Sequence, residues 1–135
     1  MKNIFLYIAV IFALTGCSPA SDRKVEAAQE SIRDDIKSQK DKVVKDLQTL
    51  RDDINDRLDK VSGKLENTTD NSKVELESIK SDLIAARERV EKKLDEIDKS
   101  SDDTWDDIQQ SSRNTADDVT VEFEKLKQRM KEKLD

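Results

Sequence analysis

The sequence predicts an all-α fold, and three observations carry that prediction. Apolar residues recur at spacings of three and four along most of the chain, the period of one helix face rather than of a strand. Beyond Pro19 there is a single glycine, Gly63, and no further proline, so little in the chain breaks a helix. Charged residues make up 41% of the 135, with acids and bases intermixed, a composition that suits long charged-flank helices better than a conventional globular core. The expected architecture is an elongated amphipathic helix, coiled-coil-like but near-straight in period, with soft joints. A two- or three-helix antiparallel bundle is the alternative.

The first element differs from all that follows. Met1-Lys2-Asn3 is weakly basic, and Ile4–Leu14 then runs without a charge. That run falls short of the roughly 20 apolar residues a bilayer span needs and has the length of a signal-peptide core. It ends in Leu14-Thr15-Gly16-Cys17. This tetrapeptide resembles the lipobox of bacterial lipoproteins: a branched aliphatic residue, two small residues and a cysteine. The resemblance implies cleavage between Gly16 and Cys17, with a covalent diacylglyceryl group and an N-acyl chain on Cys17 and no other cofactor. Two or more acyl chains anchor stably where one binds marginally. Cys17 is the only cysteine, so no disulfide within the chain accounts for it; a short buried helix with an incidental thiol is the bland reading. Ser18 occupies the sorting position, where its being other than aspartate implies, by the same resemblance, an outer-membrane lipoprotein facing the periplasm. Three segments follow: a signal peptide over 1–16, a lipidated N-terminus and tether over 17–22, and a helical region over 23–135.

The helical region carries one stripe. It passes through Val25, Ile32, Ile36, Val43, Leu47, Leu50, Ile54, Leu58, Val61 and Leu65. It resumes at Leu76, Ile79, Leu83, Ala86, Val90, Leu94 and Ile97, and continues through Trp105, Ile108, Ala116, Val119, Phe123, Leu126, Met130 and Leu134. With Ser101 and Ser112 as weak members, the 58 residues from Leu76 to Leu134 take 16 steps. That is about 3.6 residues per step, the period of a straight helix rather than the 3.5 of a heptad seam. The pattern resembles the amphipathic repeats of apolipoprotein-type helices and of small bacterial stress-response helical proteins, which implies lipid or membrane binding as one possible role. Pairs such as Asp41–Lys45, Asp53–Arg57, Asp56–Lys60, Glu88–Lys92 and Lys92–Glu96 stand at helical spacing and would add about 0.2–0.5 kcal/mol each. Fully burying a stripe leucine or isoleucine is worth about 1.5–3 kcal/mol, which a solitary helix cannot realise. The stripe therefore wants a covering surface: the chain folded back on itself, a second copy, another envelope protein, or lipid. Leu47, Leu50, Ile54, Leu58, Leu83, Val90, Leu94, Trp105, Phe123, Leu126 and Met130 are the candidate interaction residues.

Two joints are expected. Asn67–Ser72 is a polar run of poor helix formers, and Ser72-Lys73-Val74-Glu75 fits the S-x-x-E capping box of a new helix. Ser100–Thr104 is the second, followed by an acidic first turn suited to a helix dipole. Against a true break at the first, Leu65 and Leu76 keep the stripe in phase across it.

Composition narrows function. The chain has no histidine, and its one thiol is assigned to the lipid. Ser-His and Cys-His nucleophiles and the usual zinc ligand sets are absent. So are a Gly-rich phosphate loop and a basic, aromatic-interleaved nucleic-acid surface. No enzyme, small-molecule substrate, metal or nucleic-acid partner is expected. Asp102, Asp103, Asp106 and Asp107 lack EF-hand spacing and read as an acidic helix start. Trp105 reads as a packed stripe position before a docking anchor. In the last turns Lys127, Arg129, Lys131 and Lys133 flank an apolar face, an arrangement open to anionic-lipid contact or, more plainly, to compensation of a helix C-terminus. Attachment to peptidoglycan, as in the abundant murein-linked lipoprotein with its terminal lysine, is not expected, because here the chain ends Lys133-Leu134-Asp135. Two functions stay open: a membrane-anchored structural or interaction protein that self-associates or meets an envelope partner through the stripe, and an apolipoprotein-like lipid- or membrane-binding module, for which envelope stress is one setting.

Overall fold

A computed structural model describes residues 19–69 and 71–134, with side chains described from Arg23 to Lys133 apart from Asp70. The expected signal peptide over 1–16, with the cleavage position Gly16, lies outside the described residues, as do the lipidation position Cys17 and the sorting position Ser18 expected from the sequence. The described chain is all-α, with helices α1 (Pro19–Glu66), α2 (Ser72–Asp98) and α3 (Trp105–Leu134) and a short 3₁₀ turn (Asp102–Thr104) ahead of α3. Two compact units divide at Asp34 and Asp35. In the first, Arg23–Asp34 is exposed helix, with Val25 and Ile32 presenting more than half of their surface to solvent.

The second unit, from Asp35 onward, is a three-helix antiparallel bundle, the alternative left open by the sequence. As residue numbers rise along α2, those of its α3 partners fall: Glu75 and Asp82 meet Arg129, Arg89 meets Glu122 and Asp118, and Lys93 meets Ser111. The start of α3 lies beside the α1 segment around Gln39 and Lys40, since Gln109 Nε2 donates to Gln39 Oε1 at 2.8 Å. Further along, Arg57 and Lys60 of α1 share a cleft with Glu124, Lys127, Gln128, Met130 and Lys131 of α3. The first and third helices therefore run parallel, with the second antiparallel to both.

The chain turns at both expected joints. At the first, polar side chains satisfy the last carbonyls of α1: Thr68 Oγ1 donates to Lys64 O at 2.7 Å and Asn67 Nδ2 to Gly63 O at 3.2 Å. These side-chain donors satisfy carbonyls that the end of a helix leaves without intrahelical partners. The capping box expected at Ser72 is corrected. Asn71 holds the N-cap position, Ser72 is already helical, and the Glu75 carboxylate turns outward to accept two bonds from Arg129, at 2.8 and 3.0 Å. At the second joint Ser100 Oγ donates to Ile97 O at 2.6 Å. Ser101 N–H then donates to Thr104 Oγ1 at 3.1 Å, and Thr104 N–H to Ser101 O at 3.2 Å, closing the turn that launches α3.

Candidate functional site

The stripe is the core of the bundle. Leu47, Ile54, Val61, Leu76, Ile79, Leu83, Val90, Trp105 and Val119 are fully buried, and Val43, Leu58, Ala86, Ile97, Phe123, Leu126 and Met130 nearly so. Leu50 and Leu94 are half-buried against them, with Ile36, Leu65, Ile108 and Ala116. Of the eleven candidate interaction residues, then, nine are buried and two flank the core. The helical spacing that placed them on one face is what directs them inward once the chain turns twice. Of the two weak members, Ser112 is fully buried in the stripe, whereas Ser101 is exposed in the second joint.

Trp105 closes one end of this core. Its indole is wholly buried, its Nε1 points to Gln39 Oε1 at 3.4 Å, and the Lys40 ammonium lies 5.6 Å from the ring centroid. Lys40 also donates to Ser100 O at 3.3 Å and approaches Asp102 at 3.5 Å. One lysine thus ties α1 to the joint between α2 and α3, and one glutamine oxygen receives both Trp105 and Gln109. A buried indole N–H needs an acceptor, and here it comes from a helix 66 residues away in sequence.

Ion pairs join α2 to α3 along one seam. Arg129 bonds Glu75 and Asp82, and Arg89 bonds Glu122 at 2.7 Å. The bond to Glu75 is the main reason the Arg129 guanidinium is held above its ordinary range, with Asp82 adding to it and burial opposing. A raised arginine contributes stability that is fully present below its unfolded pKa and is lost only as pH rises through the folded value, so this clamp is constant across the neutral range. The five ion pairs expected at i, i+4 are not among those formed by the described residues; Arg87–Glu91 and Lys99–Asp95 take that spacing instead.

The four C-terminal bases separate into different environments. Arg129 is engaged by α2, and Lys127 pairs with Glu124 while lying 5.2 Å from the Phe123 ring centroid. Lys131 and Lys133 are exposed. Arg129 reaches back along the α2 side of the bundle, so the four bases do not share one environment. Asp102 and Asp103 form the 3₁₀ turn, and Asp106 and Asp107 the first turn of α3. Among the described residues no group of three or more histidine, cysteine, aspartate or glutamate side chains is placed to hold a metal. No helix among them is long and apolar enough to cross a membrane.

The polar contacts that sequence reasoning missed are Gln39, Lys40, Arg89, Lys93 and Gln109. Each sits beside the stripe rather than on it, and that flanking position was the available signal. Comparison of the chain with known protein families, with curated proteins and with solved structures finds no match. Any functional reading therefore rests on the residues themselves.

Proposed function

We propose that this protein is a lipid-anchored helical lipoprotein of a bacterial envelope, held to the outer membrane through Cys17 and acting as a structural or interaction protein. The observation that carries the proposal is the uncharged run Ile4–Leu14 ending in Leu14-Thr15-Gly16-Cys17. The folded part supports it by what it presents: a charged exterior over a buried apolar core. Because the stripe faces inward from Val43 to Met130, partner contact in this reading uses the outer faces of the bundle rather than the stripe. The apolipoprotein-like reading needs the bundle to open, transferring the same sixteen buried apolar side chains from each other to lipid.

The test is a Cys17→Ala substitution in cells fed a labelled fatty acid. Wild-type protein should incorporate label and sediment with membranes. The variant should carry no label and remain either uncleaved or soluble. A mature-sized, acylated, membrane-associated Cys17→Ala product would overturn the proposal.

A further inference from the structure

We propose that the cleft between α1 and α3 near their C-terminal ends is a binding site for a phosphate-bearing anion. Arg57 and Lys60 of α1 face Lys127 and Lys131 of α3 across a space of about 560 Å³, with Gln128 and Met130 also lining it. A cleft of that size is in the range of small-ligand sites. Glu124 is the one acid in the lining, and it is already paired with Lys127. Arg57, Lys60 and Lys131 have no carboxylate within ion-pair distance among the described residues.

The charge of this cleft runs against that of the protein, which carries a formal net charge of −6. Three other clefts on the same bundle show no such excess. The one lined by Lys42, Asp46, Arg113 and Asp117 holds two bases and two acids, as does the one lined by Asp82, Glu122, Lys125 and Arg129. A third pairs Arg113 with Asp106 and Asp117. Compensation of helix C-termini accounts for bases in the last turn only, since the dipole's influence falls off within that turn. It covers Lys64, Lys131 and Lys133. It leaves Arg57 and Lys60 unexplained, one or more turns earlier and lining the same space as Lys127 and Lys131.

The arrangement suits phosphate better than a single carboxylate. Each helix contributes two bases, so an occupant must accept from both sides at once, which the several oxygens of a phosphate or diphosphate do. Arg57 supplies a planar fork that bonds two of those oxygens, and the three lysines supply rotatable point charges. Gln128 can donate from its amide. The inference does not depend on the lipid anchor. The phosphate chemistry could come from a free anion or from a phospholipid headgroup, and the two are separable by experiment.

The full-length protein in a zwitterionic detergent would be titrated with inorganic pyrophosphate, following lysine and arginine side-chain NMR signals. Nanodiscs containing phosphatidylglycerol, set against phosphatidylcholine alone, form the second arm. Binding in either arm should be saturable, weaken with added salt, and fall about fivefold for each of Lys60→Gln and Lys131→Gln. Lys125→Gln, an exposed base in a different cleft, should leave it unchanged. All three variants replace exposed side chains, and circular dichroism would establish that they fold alike. Response to pyrophosphate identifies a free anion, and response only to phosphatidylglycerol a headgroup. No saturable binding in either arm, or binding that survives the Lys60→Gln/Lys131→Gln double variant, overturns the proposal.

Discussion

Two buried residues on α3, seven positions apart, show how differently a stripe position can act. Trp105 fills the end of the core, with its one polar atom directed to Gln39. Ser112 is as deeply buried, yet its hydroxyl has no hydrogen-bond partner among the described residues. Truncating the tryptophan removes packed volume that the end of the bundle cannot easily refill. Trp105→Ala should cost about 3–5 kcal/mol in urea unfolding followed by circular dichroism, and Trp105→Phe clearly less. Ser112→Ala should do the reverse. It removes an unsatisfied hydroxyl and gains helix propensity, so stability should rise by about 0.5–1 kcal/mol in the same measurement. A large loss at Ser112 would mean that its hydroxyl is bonded after all. The packed role of Trp105 was legible from spacing alone. Its acceptor was not, because nothing in a local window links position 105 to position 39.

At the scale of the element, propensity and tertiary packing pull in different directions. The 3.6 period and the in-phase step from Leu65 to Leu76 favoured a helix running through the first joint. The structure breaks there nonetheless, between Glu66 and Ser72. Phase describes which way side chains point along a helix that continues; it carries no energy against a turn. Folding back buries sixteen apolar side chains that a continuous helix leaves in water, and that gain at about 1.5–3 kcal/mol for each fully buried residue outweighs the few backbone bonds lost at a joint. Those lost bonds are partly replaced by Asn67, Thr68 and Ser100, the polar residues that had marked both joints in the sequence. The joints were thus readable as places, and their sharpness was not. Gly63 tests the element on its own. It is exposed within α1, and a methyl group added there would meet nothing within 4 Å. Gly63→Ala should therefore raise stability by up to about 1 kcal/mol through helix propensity and a less flexible unfolded chain, read as a higher thermal midpoint. A loss would mean that the last turns of α1 need glycine's freedom.

For the whole molecule, the distinction that matters is between one long helix and three folded together, and it is a distinction of distance. Gln39 and Gln109 are bonded side chain to side chain at 2.8 Å although 70 residues separate them. In a continuous helix the same separation would be about 105 Å, at 1.5 Å per residue. Arg129 adds a second tie across the bundle, bonding α3 to Glu75 and Asp82 of α2. Its guanidinium is more than a third exposed, so solvent screens it, and Arg129→Met should lower stability by only about 1 kcal/mol. That places the burden of the fold on the apolar interior and makes the Gln39–Gln109 proximity the sharper test. A Gln39→Cys/Gln109→Cys protein, with Cys17 replaced by serine, should react with a short bis-maleimide to give an intrachain product. The yield should not change on dilution, because both thiols belong to one molecule. The crosslinked band should disappear in denaturant if the helices must be folded for the thiols to meet. Crosslinking only between chains, rising with protein concentration, would mean that the stripe is covered by a second copy and that the helices open out in solution.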